Sequence, residues 1–210
     1  MSRVTCRISV SLDGYVAGPN QSMDNPIGEG GMALHEWAIA TSAWREQHGG
    51  RGGEANADAE VIEQATQGIG AYIMGRNMFG GGGEWDESWT GWWGDEPPYH
   101  APVFVLTNHP REPLTMQGGT TFTFVTDGIE AALEQARAAA GDGDVHIAGG
   151  AHTVNQYLAA GLLEELHLHV VPITLDGGER LFHGVGRLSL EPVAVVASPA
   201  VTHIKYRVLR

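Results

Sequence analysis

"HIAGGAHTVNQYLAAGLLEEL", residues 146–166, sets two adjacent glycines between an apolar, strand-like stretch and a helical one. The helical part places Val154, Tyr157 and Leu158 on one face and stops at Gly161. A helix starting here would more simply begin with a polar N-cap and a bulkier first turn. Gly149-Gly150 therefore has two readings. Glycines let the backbone come within hydrogen-bonding distance of a bound pyrophosphate, with helix N-terminal amides as donors. Alternatively, a tight strand-to-helix turn needs residues without a Cβ.

Working outward, "AYIM" (71–74), "VFVL" (103–106) and "VHIA" (145–148) are short apolar runs of the kind buried on both faces of a sheet. "VTCRISV" (4–10) alternates with the period of a strand. "TFTFV" (121–125), "LHLHVV" (166–171) and "VTHIKYRV" (201–208) alternate as well, so the last third reads as antiparallel or edge-like. "DGIEAALEQARAAAG" predicts a helix with Asp127 as N-cap, Glu130 at the capping-box position and a stop at Gly141. "MALHEWAIATSAWREQH" (32–48) predicts one helix with Leu34, Trp37, Ala38, Thr41 and Trp44 on its buried face. Strands separated by helices imply a largely parallel sheet with right-handed crossovers. Residues 1–210 read as one α/β domain.

Residues 49–60 and 80–102 are rich in glycine and acidic residues and read as surface loops. The second holds Trp85, Trp89, Trp92 and Trp93. So many tryptophans in a polar loop suggest a lid or an interface, or plugs filling a groove of the same subunit. The net charge of −13 excludes nucleic acid as a general partner, but one local arginine can still hold a small anion. A single cysteine, Cys6, excludes an internal disulfide framework. The opening "MSRVTCRISVSLDG" lacks the continuous apolar core of a signal peptide, and no apolar run reaches the ~20 residues of a membrane span. A cytoplasmic protein is expected, with no membrane partner.

A G-x-G-x-x-A pattern occurs at Gly28–Ala33, but the turn-rich "NQSMDNPI" precedes it where a dinucleotide fingerprint requires a strand. His167 and His169 share one strand face; with no third ligand nearby in sequence, a solvated face is expected there and no metal. More informative are three strand-to-loop junctions: "YIMGRNMF", "VFVLTNHPR" and "VHIAGGAH". Ligands of parallel α/β sheets bind at the carboxyl ends of strands, and each junction offers helix amides or an arginine there. Together they point to a nucleotide.

The ordered set "SLDGYVAG", "MGRNMF", "VLTN" and "IAGGAHTVNQYLAAGLLEELHLHVVP" resembles the dihydrofolate reductase-like superfamily. Within it, the sequence looks like the RibD C-terminal domain family, named for the reductase domain of the riboflavin biosynthesis deaminase-reductase. The resemblance spans about residues 4–208. It implies a three-layer α/β/α fold with a mostly parallel central sheet and antiparallel C-terminal strands. It also implies NADPH as cofactor: Gly75 and Arg76 on its phosphates, Thr107 and Asn108 by the adenosine 2′-phosphate, and Gly149, Gly150, Ala151, His152 and Thr153 on the pyrophosphate. Arg111 joins Arg76 as a second cation for the extra phosphate. The loop from Ser11 to Gly18 would border nicotinamide and substrate. On this view the double glycine serves the pyrophosphate, although a tight turn would also use it.

Dihydrofolate reductases carry a carboxylate early on the helix after the first loop; here that place falls on Leu34, with His35 and Glu36 beside it. At most one of the three can point into a site, because successive helical residues are separated by about 100°. Folate is therefore not the expected substrate, and Asp13 is the candidate catalytic residue, orienting substrate or a water. The leading expectation is an NADPH-dependent reductase of a small heterocycle, working as a homodimer. One alternative is pyrimidinone reduction in riboflavin biosynthesis, although the paired cysteines and zinc-binding histidine of a deaminase are missing from this chain. Another is a nucleotide-binding protein of the same fold without turnover.

Overall fold

The computed structural model describes residues 2–80 and 86–209 of the 210-residue chain. In chain order the elements are β1 (Val4–Ser11), β2 (Tyr15–Ala17), a 3₁₀ turn (Gly31–Leu34), α1 (Glu36–Ile39), α2 (Ser42–Gln47), α3 (Ala57–Glu63), β3 (Ile69–Gly75) and α4 (Arg76–Gly80). They continue with β4 (Pro102–Leu106), β5 (Leu114–Thr115), β6 (Thr121–Val125), α5 (Ile129–Ala140), β7 (Asp144–Gly149) and α6 (Ala151–Ala159). The chain closes with β8 (Glu165–Val171), β9 (Glu179–Arg180), β10 (Ser189–Ala197) and β11 (Thr202–Leu209).

A nine-stranded sheet in the order β10-β11-β8-β1-β7-β3-β4-β6-β5 divides the molecule. Strands β8, β1, β7, β3, β4 and β6 run parallel, whereas β5, β10 and β11 are antiparallel to their neighbours. Helices α5 and α6 cover one face. Leu133, Ala136, Val154, Tyr157 and Leu158 lie there against Val4, Cys6, Ile73, Val145, Ile147 and Leu166. On the other face Leu34, Trp37, Ala38, Ala59 and Ile62 form one cluster, and Phe79 of α4 joins Tyr72, Met74, Val103, Val105 and Phe122 in another. This is the expected three-layer dihydrofolate reductase-like arrangement.

Local expectations fail at four places. The stretch 32–48 is not one helix: it breaks at His35 and again at Thr41, whose extended backbone and hydroxyl cap α2 by accepting from the Trp44 amide. Its apolar positions are buried all the same, because three short pieces keep the same spacing. Gly128 with φ 90°, not Asp127, precedes α5, and no side chain caps that helix. The 49–60 segment is not all loop, since Asn56 caps α3 from within it and buries Asp58 and Ala59. His169 is not on a solvated face: it is sealed under Trp37 beside His203.

Candidate functional site

The carboxyl ends of the parallel strands open on a cavity of about 800 Å³. It runs along the strand ends from β6 and β4, with Thr126, Thr107 and Asn108, to β1 and β2, with Ile8, Val16 and Ala17. Gly75 and Arg76 enter from the β3–α4 junction and Gly149 to Thr153 from the β7–α6 junction. The three junctions thus meet in one space, as parallel topology requires of strand ends.

The glycines there differ in kind. Gly149 has φ 130°, a conformation that side chains other than glycine rarely adopt, and its peptide bond to Gly150 is cis. Gly150 has φ −71° and ψ −166°, extended backbone open to any residue. A Cβ on it would touch nothing within 4 Å. The turn explains the first glycine but not the second. What Gly150 provides is room above the N-terminus of α6. The first helical bond back to Gly150 is donated by Val154, so the earlier amides of that turn are free of the helix ladder. Gly75 has a third reason: a Cβ there would collide with the Thr153 hydroxyl, so it lets β3 pack on α6.

Two expected site residues lie elsewhere. The Arg111 guanidinium donates to the Trp89 carbonyl at 2.6 Å and sits over the Phe124 ring, outside the cavity lining. The Asp13 carboxylate accepts from the Ser11 hydroxyl at 2.5 Å and from the Leu175 and Asp176 amides. These hydrogen bonds, the Ser11 one foremost, hold its carboxyl below the usual range. Asp13 is a staple for the turn before β9, and the cavity wall from that loop is Val16 and Ala17.

His35, named in the sequence only as a neighbour of Leu34, is a cavity residue. Of the trio Leu34, His35 and Glu36, only His35 lines the cavity; Leu34 is in the core and Glu36 is exposed. The break between the 3₁₀ turn and α1 sets its direction, and helical spacing alone could not show that break. Burial pushes its imidazole below the ordinary value, so the ring is neutral at neutral pH. From the tryptophan loop, Trp92 and Trp93 line the cavity while packing inward. Trp92 donates to the Met78 carbonyl, and Trp93 stacks on Phe122. Trp89 donates to the Phe79 carbonyl, and Trp85 lies outside the described residues. Cavity wall and groove filler are thus the same side chains.

Residues 2–204 match the sequence profile of the RibD C-terminal domain. The chain belongs to the RibD C-terminal domain family. No curated protein matches it at the sequence level. In fold, this RibD-type chain is similar to a putative riboflavin biosynthesis protein from Shewanella sp. PV-4 (TM-score 0.63, 21% identity, 99% of each chain). It is also similar to the Enterococcus faecalis dihydrofolate reductase complexed with NADP(H) and RAB-propyl (0.56, 15%, 98% of this chain and 96% of that one). A third relative in fold is the Thermotoga maritima diaminohydroxyphosphoribosylaminopyrimidine deaminase/5-amino-6-(5-phosphoribosylamino)uracil reductase (0.58, 13%). There the match covers 99% of this chain and 57% of the other. Among the described residues no helix is long and apolar enough to cross a membrane, and no His/Cys/Asp/Glu group is arranged to hold a metal.

Proposed function

We propose that the chain is an NADPH-dependent reductase of a small heterocyclic substrate. The observation that carries the reading is the space Gly150 leaves above the first turn of α6, opposite the β3–α4 and β4 junctions. Family membership supports the oxidoreductase class. The residues fit a dinucleotide. The α6 amides and the Gly149-Gly150 backbone would take the pyrophosphate, Arg76 a phosphate charge, and Thr107 and Asn108 the 2′-phosphate. Bound there, a reduced nicotinamide supplies the hydride.

The protein's own contribution is position and a proton. Ile8, Val16 and Ala17 wall the substrate end with apolar surface, which keeps water from the reacting carbon. Reduction of a C=N bond also needs a proton on nitrogen. The role expected of Asp13, orienting substrate or a water, passes to His35: its neutral ring can hydrogen-bond an ordered water, which gives the proton to nitrogen and is itself reprotonated from solvent. The antiparallel edge supports a homodimer. Val193, Val195 and Val196 of β10 are exposed, Val195 by 60%, at the end of the sheet, where a second copy would cover them.

Equilibrium titration with NADPH and NADH tests the cofactor. A charged hydrogen bond contributes about 1.5–3 kcal/mol, so Arg76→Ala should weaken NADPH binding roughly tenfold or more. Equal dissociation constants for the two dinucleotides in the unaltered protein would refute the reading.

A further inference from the structure

We infer that Trp92 is a specificity residue of the reductase site: its indole is the platform on which a flat, conjugated heterocyclic substrate stacks. The inference deepens the reductase reading and rests on it. α4 has only five residues, and the last carbonyls of a helix find no partner within it. Two indoles supply that partner. Trp92 Nε1 donates to the Met78 carbonyl at 3.0 Å and Trp89 Nε1 to the Phe79 carbonyl at 2.7 Å. The two rings meet at 71° with 4.7 Å between centroids, and the Arg111 guanidinium holds the Trp89 carbonyl. Gly91, with φ 102°, turns the chain just before Trp92, and a Cβ there would press on the Trp93 ring at 3.1 Å. Trp93 packs into the core, stacked on Phe122 and edge-on to Tyr99. Trp92 is left half-buried on the cavity wall with its one polar atom already satisfied.

That arrangement selects by shape and π surface. An indole whose N–H is engaged offers a ligand an apolar face and no hydrogen bond, and an anchored face needs little ordering when a ring settles on it. Its position separates substrate from cofactor. Trp92, tied to α4, faces the cavity from the layer opposite α5 and α6. That layer also supplies Met32 and His35, on either side of the buried Leu34. The amides suited to a pyrophosphate come instead from α6, in the other layer. The two layers meet at the end of β7: the Met78 sulfur stands next to Gly149, where an added Cβ would lie 3.4 Å from it. A ring on Trp92 therefore shares one space with the double glycine and with His35. Reduction of a conjugated C=N bond turns a flat carbon tetrahedral, so the product ring puckers and stacks less well. Trp92 thus favours the flat substrate over its reduced product.

Three probes test this. Uracil and 5,6-dihydrouracil share their ring atoms and imide edge but differ in planarity, and lumazine is a flat two-ring compound that absorbs to the red of tryptophan. Each is titrated into the full chain with and without NADP⁺. Uracil should bind at least about fivefold more tightly than dihydrouracil, and lumazine binding should bring hypochromism of its long-wavelength band. Trp92→Leu, apolar but without a π face, should lose about tenfold or more in lumazine affinity together with the hypochromism. Trp92→Phe should keep most of both, and NADPH affinity should be unchanged in either variant. Equal lumazine affinity in Trp92→Leu overturns the inference. So does equal binding of uracil and dihydrouracil by the unaltered protein, or no lumazine binding at millimolar concentration. Loss of NADPH affinity in a folded Trp92 variant overturns it too, by assigning the indole to the cofactor. If Trp92→Leu fails to fold, Trp92→Phe and the uracil pair on the unaltered protein still decide. Failure of the unaltered protein to bind NADPH would sink the reductase reading, while the lumazine comparison without dinucleotide stands or falls by itself.

Discussion

The molecule contains two polar centres of opposite character. At the strand ends, the first-turn amides of α6, Asn108 and His35 line an open cavity. Under α1, by contrast, polar groups answer one another. The Asp58 carboxylate accepts from His203 Nε2 at 2.9 Å and from the Ser198 hydroxyl at 3.0 Å. His203 and His169 share a 2.8 Å Nδ1···Nδ1 contact, and Trp37 covers both rings while donating to Ser9. His203 thus bridges the Asp58 carboxylate and the His169 ring through its two nitrogens. A buried group satisfied within the chain is part of the fold; groups aimed into a cavity await a ligand. Of the two histidines on one strand face in the sequence, His169 belongs to the closed centre and His167 contacts Glu165, whereas His35 belongs to the open one.

Acid should break the closed side first and most. Burial holds His169 well below its ordinary value, and burial with nearby Arg7 pushes His167 to about 4 and His146 to about 3. Unfolded histidine titrates near pH 6.5. Below that value the unfolded chain takes up protons that the folded chain refuses. The stability these rings allow is therefore complete above about pH 6.5 and falls as pH drops toward 4. The slope is about 1.4 kcal/mol per pH unit for each histidine. Urea midpoints measured from pH 8 to 5 should decline below about pH 6.5, before most carboxylates titrate. A flat profile across that interval would mean that these rings protonate freely in the folded protein.

Next in size is His203→Ala. It leaves Asp58 buried with one partner fewer and removes a ring from beneath Trp37. Leaving a buried carboxylate short of a hydrogen-bond partner costs about 1–3 kcal/mol, and the emptied ring adds a cavity. The urea midpoint should fall accordingly, with NADPH affinity, measured below the new midpoint, unchanged. Loss of cofactor affinity in a folded variant would show that the two centres are coupled.

How much of this was legible follows from the range of each signal. The apolar runs of β3, β4 and β7, the alternation of β11 and the Gly149-Gly150 junction are local, and they place the strands, their largely parallel sheet and the junctions that line the cavity, though not the strand order. The breaks at His35 and Thr41 leave the apolar spacing of 32–48 unaltered, so periodicity passes over them. Asp58 reads as one more acidic loop residue, because the histidine that explains its burial lies 145 positions away. Which of two arginines faces the cavity was equally hidden. Arg111 is claimed by the Trp89 carbonyl in another loop, a contact that no spacing announces.

The smallest effect gives the sharpest contrast, because it compares two glycines in one site. At Gly75 an added methyl meets the buried Thr153 hydroxyl, so Gly75→Ala should lower stability by about 1–3 kcal/mol, as overpacking does. At Gly150 the added methyl meets nothing in the protein and the backbone angles suit alanine. Gly150→Ala should therefore move the melting temperature less than Gly75→Ala. Its cost should fall instead on NADPH, since the methyl stands where the pyrophosphate would approach the α6 amides. A loss of roughly tenfold in affinity, about 1.4 kcal/mol, would exceed what glycine's backbone freedom alone accounts for. The two variants are compared by thermal melting without ligand and by fluorescence titration with NADPH. Should Gly150→Ala keep full affinity and melt earlier, the second glycine would belong to the turn after all, and the open centre would lose the feature that marks it as a phosphate site.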